Sequence, residues 1–231
     1  MEHKGICYSK SSDYRHIPGT PIAYWISQAT LDMFSLPTHI SDYGRALQGT
    51  ITGDNERFLR FWFEVASFNF SDKGEREKKW FAHNKGGNFR RWYGNREYSI
   101  NWENDGYEIK NFKDNKGKLR SRPQNIDAFF RQGISWSDLT AGKYSARYFP
   151  NGSTFDATGP TIPVQDFDTL KYILGYFNTK VFQLLLDISC PGIHYNNGII
   201  TGLPIKTDDM HKQRVIDLVS ECIDMAKEDW C

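Results

Sequence analysis

The apolar residues of this chain change their spacing at Asp166, and that change limits the folds open to it. Beyond Asp166, residues Leu170, Ile173, Leu174, Phe177, Val181, Leu184 and Leu185 recur at helical intervals, the pattern of a helix that buries one face. Asp166 or Asp168 is placed to cap its start, and Cys190-Pro191-Gly192 stops it. A second stripe of Val215, Leu218, Val219, Cys222, Ile223 and Ala226 follows Thr207-Asp208-Asp209 and predicts a final amphipathic helix over about 208–229. Before Asp166 the apolar runs are short. Trp80-Phe81-Ala82, Tyr98-Ser99-Ile100-Asn101-Trp102 and Ile134-Ser135-Trp136 read as strands between Gly- and Asn-rich turns. Phe58 to Val65 reads as a strand or a short amphipathic helix, and Asn111 to Arg122 as a polar loop. Pro21 suits the first turn of a short helix over 22–27, while Gly198 to Ile205 reads as an extended exit into the last helix. The fold class expected is α/β (α+β): a twisted, mainly antiparallel sheet carrying loops and closed by C-terminal helices.

Charge is segregated along the chain. Between Lys73 and Arg147 lie 17 Lys and Arg against 9 Asp and Glu, a balance of +8, while the remainder carries −7. A local positive field attracts polyanions even when the whole chain is only +1. The same stretch holds 13 aromatic residues, and cations interleaved with rings suit phosphate contacts joined to base or sugar contacts. A solvated basic face over an aromatic core would have the same composition.

Other classes are excluded or disfavoured by what the residues lack. The most apolar run, Val181 to Ile188, is broken by Gln183 and Asp187, which excludes a bilayer span there. Met1-Glu2-His3-Lys4 leads into no apolar segment, and Cys7, Cys190, Cys222 and Cys231 are widely separated. A reduced, cytoplasmic chain is therefore expected. Neither a Gly-rich phosphate loop nor a Gly-x-Gly strand-to-helix turn occurs, and the Asn-Pro-Pro-Tyr type of amino-methyltransferase tetrapeptide is missing. The six histidines are not in zinc-ligating spacing. Glu108-Ile109-Lys110, after Glu103 and Asp105, resembles the carboxylates and lysine of a metal-dependent nuclease.

Two stretches stand out as loops with chemistry. Gly49 to Phe58 (Gly-Thr-Ile-Thr-Gly-Asp-Asn-Glu-Arg-Phe) is a Gly-bounded polar turn entering an aromatic element. Asn84 to Gly94 (Asn-Lys-Gly-Gly-Asn-Phe-Arg-Arg-Trp-Tyr-Gly) offers backbone, amide, guanidinium and ring groups close together. Arg pairs bidentately with guanine and Asn with adenine.

Several segments in order give a more specific indication. They are Ile17-Pro18-Gly19-Thr20-Pro21-Ile22-Ala23-Tyr24-Trp25, Thr52-Gly53-Asp54-Asn55-Glu56-Arg57-Phe58-Leu59-Arg60, Asn101-Trp102-Glu103-Asn104-Asp105-Gly106, Leu119-Arg120-Ser121-Arg122-Pro123-Gln124-Asn125 and Ser145-Ala146-Arg147-Tyr148-Phe149-Pro150. Together they resemble the C-terminal part of bacterial adenine-specific DNA methyltransferases, nearest the enzymes of bacteriophage-exclusion systems akin to fused restriction–modification enzymes. Tyr172 to Lys180 and Leu203-Pro204-Ile205 are similar to the closing elements of target-recognition domains.

That resemblance implies a lead-in over 1–48, a DNA target-recognition domain over 49–206 and a C-terminal helix over 207–231. It implies sequence-specific recognition of duplex DNA. The whole enzyme would flip an adenine into a separate catalytic domain and methylate its N6 with S-adenosylmethionine, so no cofactor and no catalytic residue are expected in this chain. Candidate phosphate or base-edge contacts are Lys85, Arg90, Arg91, Arg96, Lys118, Arg120, Arg122, Lys143 and Arg147. Asn84, Asn88, Trp92, Tyr93 and Tyr144 are candidates for base or sugar contacts. The partners implied are duplex DNA and the methyltransferase domain or other defence-system subunits, with the last helix available for docking or self-association. A carbohydrate-binding module and a magnesium-dependent nuclease using Glu108 and Lys110 are the alternatives.

Overall fold

The computed structural model describes Lys10 to Trp230; Cys7 and Cys231 lie outside the described residues. The short apolar runs pair as strands, because a half-buried pleated surface is where β-branched and aromatic side chains pack best. In the first sheet β3 (Trp80–Asn84) and β4 (Tyr98–Asn101) run antiparallel with Phe81 opposite Ile100, and β1 (Leu59–Phe61) adds antiparallel to β4. Two short strands, β2 (Phe70–Ser71) and β7 (Thr154–Phe155), pair parallel to successive stretches of β3. The second sheet is antiparallel throughout, in the order β6 (Arg147–Phe149), β5 (Gly133–Ser135), β8 (Thr161–Pro163). The fold is thus α+β as expected, with two mainly antiparallel sheets where one was read from the sequence.

Two hydrophobic cores form, and β6 of the second sheet contributes Phe149 to the smaller. Phe58, Phe81, Ile100, Trp102, Phe129, Phe149 and Phe155 fill the smaller one, with Phe129 edge-on to Phe155 at 5.1 Å. The larger core joins lead-in residues Ile17, Ala23, Phe34 and Ile40 to Ile134, Trp136, Tyr144 and the C-terminal helices. Phe177 and Phe182 stack there at 4.5 Å. Much of the aromatic excess is therefore interior packing.

Among the described residues the helices are α1 (Gln28–Phe34), α2 (Asn55–Phe58), α3 (Glu103–Lys110), α4 (Phe167–Phe177), α5 (Lys180–Ser189), α6 (Asn197–Gly202) and α7 (Lys212–Trp230). Three element assignments and one buried face correct the sequence reading. The helix expected over 22–27 begins later, because Ser27 accepts from Thr30 N–H as a cap, and Ile22, Tyr24 and Trp25 stay exposed. The continuous stripe after Asp166 is two helices: Asp166 caps α4 and Thr179 caps α5, while Asn178 bonds both N–H and C=O of Ala146. Residues 198–202 are helical rather than extended, since Asn196 Oδ1 accepts from Gly198 N–H at 2.8 Å; only the following Leu203–Ile205 extends, against 38–40. On α7 the buried stripe is Ile216, Val219 and Ile223, and Leu218 remains half exposed. Val215 and Val219 close on α4 at Gly175, where a Cβ would stand 3.0 Å from each. No helix among the described residues is long and apolar enough to cross a membrane.

Candidate nucleic-acid interface

The loop from Lys85 to Glu97 joins β3 to β4, and its residues take different places. Asn84, at its root, is buried and donates to Ser135 Oγ at 2.6 Å and to Gly159 O at 2.9 Å, tying the two sheets together. Lys85 is partly exposed and lies 3.7 Å from Asp156. Asn88 is exposed, and its carbonyl accepts from Asn95 Nδ2. Arg91 is exposed beside the Phe89 ring, and Arg96 is partly buried beside Tyr93. Arg90 turns to α7, 3.6 Å from Asp229 and 4.6 Å from the Trp230 ring centre. Trp92 has φ 73° and exchanges backbone hydrogen bonds with Ala146 and Tyr148, which fastens the loop beside β6. Lys143 is exposed, whereas Tyr144 and Arg147 are buried.

Asn84, Tyr144 and Arg147 are thus corrected from surface candidates to framework residues. Burial pushes Tyr144 well above its usual range and lowers Arg147 to about 10. Sequence alone could not separate these three from their exposed neighbours.

Lys118, Arg120 and Arg122 form a second group. Their loop is pinned at one end by Asp114, whose Oδ1 accepts from the N–H groups of Lys116 and Lys118. At the other end Arg122 and Ile51 exchange backbone hydrogen bonds, and Arg120 Nη2 donates to Gly53 O at 3.1 Å. All three side chains are exposed. The loop 111–122 therefore lies against the polar turn 49–55.

That turn is held by a close approach. Gly49 sits against β7, where a Cβ would lie 1.8 Å from Phe155 O, and Thr50 N–H donates to that same oxygen. The result is a groove of about 440 Å³ lined by Thr50 to Asn55, Lys85 and Asp156 to Thr158. Asp54 caps α2 by accepting from Arg57 N–H. Asn55 Oδ1 accepts from Thr52 Oγ1 at 2.6 Å, which leaves its amide nitrogen as the group it presents. Donors and acceptors mix inside the groove, and Arg120 and Arg122 lie beside it. Base edges offer such a mixture, whereas the backbone offers only phosphate oxygens to cations. Asn55 and Thr158 also line this groove, and the Gly49–Phe58 turn is the sequence signal for the first of them.

Glu108 and Lys110 are separately engaged. Glu108 pairs with Arg57 at 2.6 Å and accepts from Asn101 Nδ2, while Lys110 pairs with Asp105 at 2.6 Å. Among the described residues no group of three or more His, Cys, Asp or Glu is placed to hold a metal ion.

No family model matches the chain. It is 36% identical over 229 residues to the adenine-specific methyltransferase PglX of Lacticaseibacillus casei (strain Zhang), covering 96% of this chain and 19% of that protein. It is 35% identical over 223 residues to the adenine-specific methyltransferase BrxX of Escherichia coli O9:H4 (strain HS), covering 95% of this chain and 17% of that protein. The chain spans under one fifth of the length of these curated relatives. Along almost its entire length it is therefore homologous to one segment of the adenine-specific methyltransferases PglX and BrxX.

Proposed function

We propose that this chain recognises a specific sequence in duplex DNA on behalf of an adenine-N6 methyltransferase of a phage-defence or restriction–modification system. The observation that carries this reading is the groove between the turn 49–55 and Lys85, flanked by the exposed Arg120 and Arg122. In it Asn55 and Thr158 read base edges, with the buried Thr52 holding Asn55 in place, while Lys118, Arg120 and Arg122 grip phosphates on one side. Lys85, Arg91 and Arg96 extend the positive surface on the other. S-adenosylmethionine belongs to the rest of the enzyme. No step of methyl transfer is assigned to the residues of this chain.

The test compares duplex binding by the wild type, Arg120→Ala and Asn55→Ala across a salt series. Wild-type affinity should be weak and fall steeply with salt, since each neutralised phosphate contributes about 0.9 to the slope. Arg120→Ala should reduce that slope by about 1 for every sequence alike. Asn55→Ala should keep the slope and relax discrimination at one base pair by about 0.5–1.5 kcal/mol, the worth of a single hydrogen bond. Binding that ignores salt, or is unchanged in both variants, overturns the proposal. Weak glycan binding insensitive to salt would instead favour the carbohydrate reading.

A further inference from the structure

Between the sheets lies a second, smaller space whose walls are polar and carry positive charge. It is a cavity of about 10 Å³, lined among others by His83, Asn84, Arg96, Arg147 and Ser153. No carboxylate lines it. Arg147 is 1% exposed, and its one side-chain hydrogen bond runs from Nη2 to Asn84 Oδ1 at 3.4 Å. No acidic side chain lies within ion-pair distance of it among the described residues. Arg147 Nη1, Ser153 Oγ and His83 Nε2 are all buried polar atoms without a protein partner. His83 Nδ1 lies 2.8 Å from Thr154 Oγ1. The single Thr154 hydroxyl proton has two acceptors in reach, Nδ1 at 2.8 Å and Ala82 O at 3.4 Å; given to the nearer Nδ1 it leaves the imidazole proton on Nε2, and all three atoms are then donors.

A buried guanidinium keeps its charge at neutral pH, because burial lowers its pKa only to about 10. Glu97 is the carboxylate whose charge bears on it, but from outside the cavity and beyond ion-pair distance, so at close range the buried charge has no partner, which is destabilising. A neutral water would satisfy hydrogen bonds but not the charge. The space admits about one water-sized occupant, which excludes phosphate, sulfate and carboxylate groups. We infer that this cavity, walled by His83, Arg147 and Ser153, binds one monatomic anion of the halide class. Arg96 at its wall adds to the attraction for the ion. This site is separate from the groove and does not depend on the DNA-recognition reading.

Crystals of the chain soaked in sodium bromide test the assignment directly. An anomalous bromine peak is expected beside Arg147, His83 and Ser153. In solution, thermal unfolding should be compared in sodium chloride, sodium bromide and sodium gluconate at equal ionic strength. The two halides should raise the midpoint, with a rise logarithmic in halide concentration above the dissociation constant. Arg147→Met should abolish that halide-specific rise. Because removing a buried guanidinium can cost the fold itself, Ser153→Ala is the second variant and should weaken the halide dependence while the chain stays folded. Bromine peaks confined to other surfaces, or equal midpoints in halide and gluconate, overturn the proposal and leave a neutral occupant as the explanation.

Discussion

Replacing His83 with Gln isolates one source of acid sensitivity in this fold. His83 is 2% exposed on β3, and burial lowers its pKa from 6.5 to about 4, with Asp156 opposing the shift and Lys85 adding to it. The folded chain keeps this imidazole neutral where an unfolded chain would protonate it. Unfolding therefore takes up a proton between about pH 6.5 and 4. The contribution is complete above the unfolded pKa, is lost as pH falls, and levels off below about 4. At roughly 1.4 kcal/mol per pH unit, that interval is worth about 3 kcal/mol. Urea unfolding followed by tryptophan fluorescence should be run on both proteins from about pH 7.5 to 4, in low-halide buffer. Carboxylates titrate in both proteins, so their effect cancels in the difference. The wild type should lose about 3 kcal/mol more than the variant over this range. Parallel curves would refute the argument, because they would mean that His83 is protonated inside the folded chain as readily as outside it.

Other outcomes follow from packing and from the proposed division of labour. Gly49→Ala should destabilise the chain by more than about 3 kcal/mol in thermal melts, because its Cβ meets the Phe155 carbonyl, which is fixed backbone. Ile223→Ala should cost about 2–5 kcal/mol, whereas Leu218→Glu on the exposed side of α7 should stay within about 0.5 kcal/mol. Adding Cys222→Glu to Leu218→Glu should disperse any dimer in sedimentation if α7 serves docking, and unfolding of that double variant would mark the helix as internal packing only. Labelled S-adenosylmethionine incubated with the chain and mixed DNA should give background incorporation, and protein-dependent labelling would defeat the reading of a non-catalytic segment.

What sequence determined by itself was local. Asp166 accepts a hydrogen bond from the N–H three residues ahead, and the runs at 80–82, 98–102 and 134–136 carry the side chains a sheet needs. Such signals lie within a few residues of what they control, so periodicity and capping chemistry register them. They also conflict at close range: the apolar stripe runs unbroken across Asn178-Thr179, and only the bonds from Asn178 to Ala146, 32 residues away, reveal the break. Which cations face water was likewise a tertiary decision. Arg91 and Arg147 have the same side chain within one basic stretch, yet the first is exposed while the second is enclosed between the sheets. The tie between the two sheets runs through Asn84, whose partners Ser135 and Gly159 lie 51 and 75 residues along the chain. The groove likewise exists only because Gly49 lets the turn 49–55 approach β7, about a hundred residues away. Contacts across such separations are set by packing of the whole chain, where burial and close approach decide, and no window of neighbouring residues contains them.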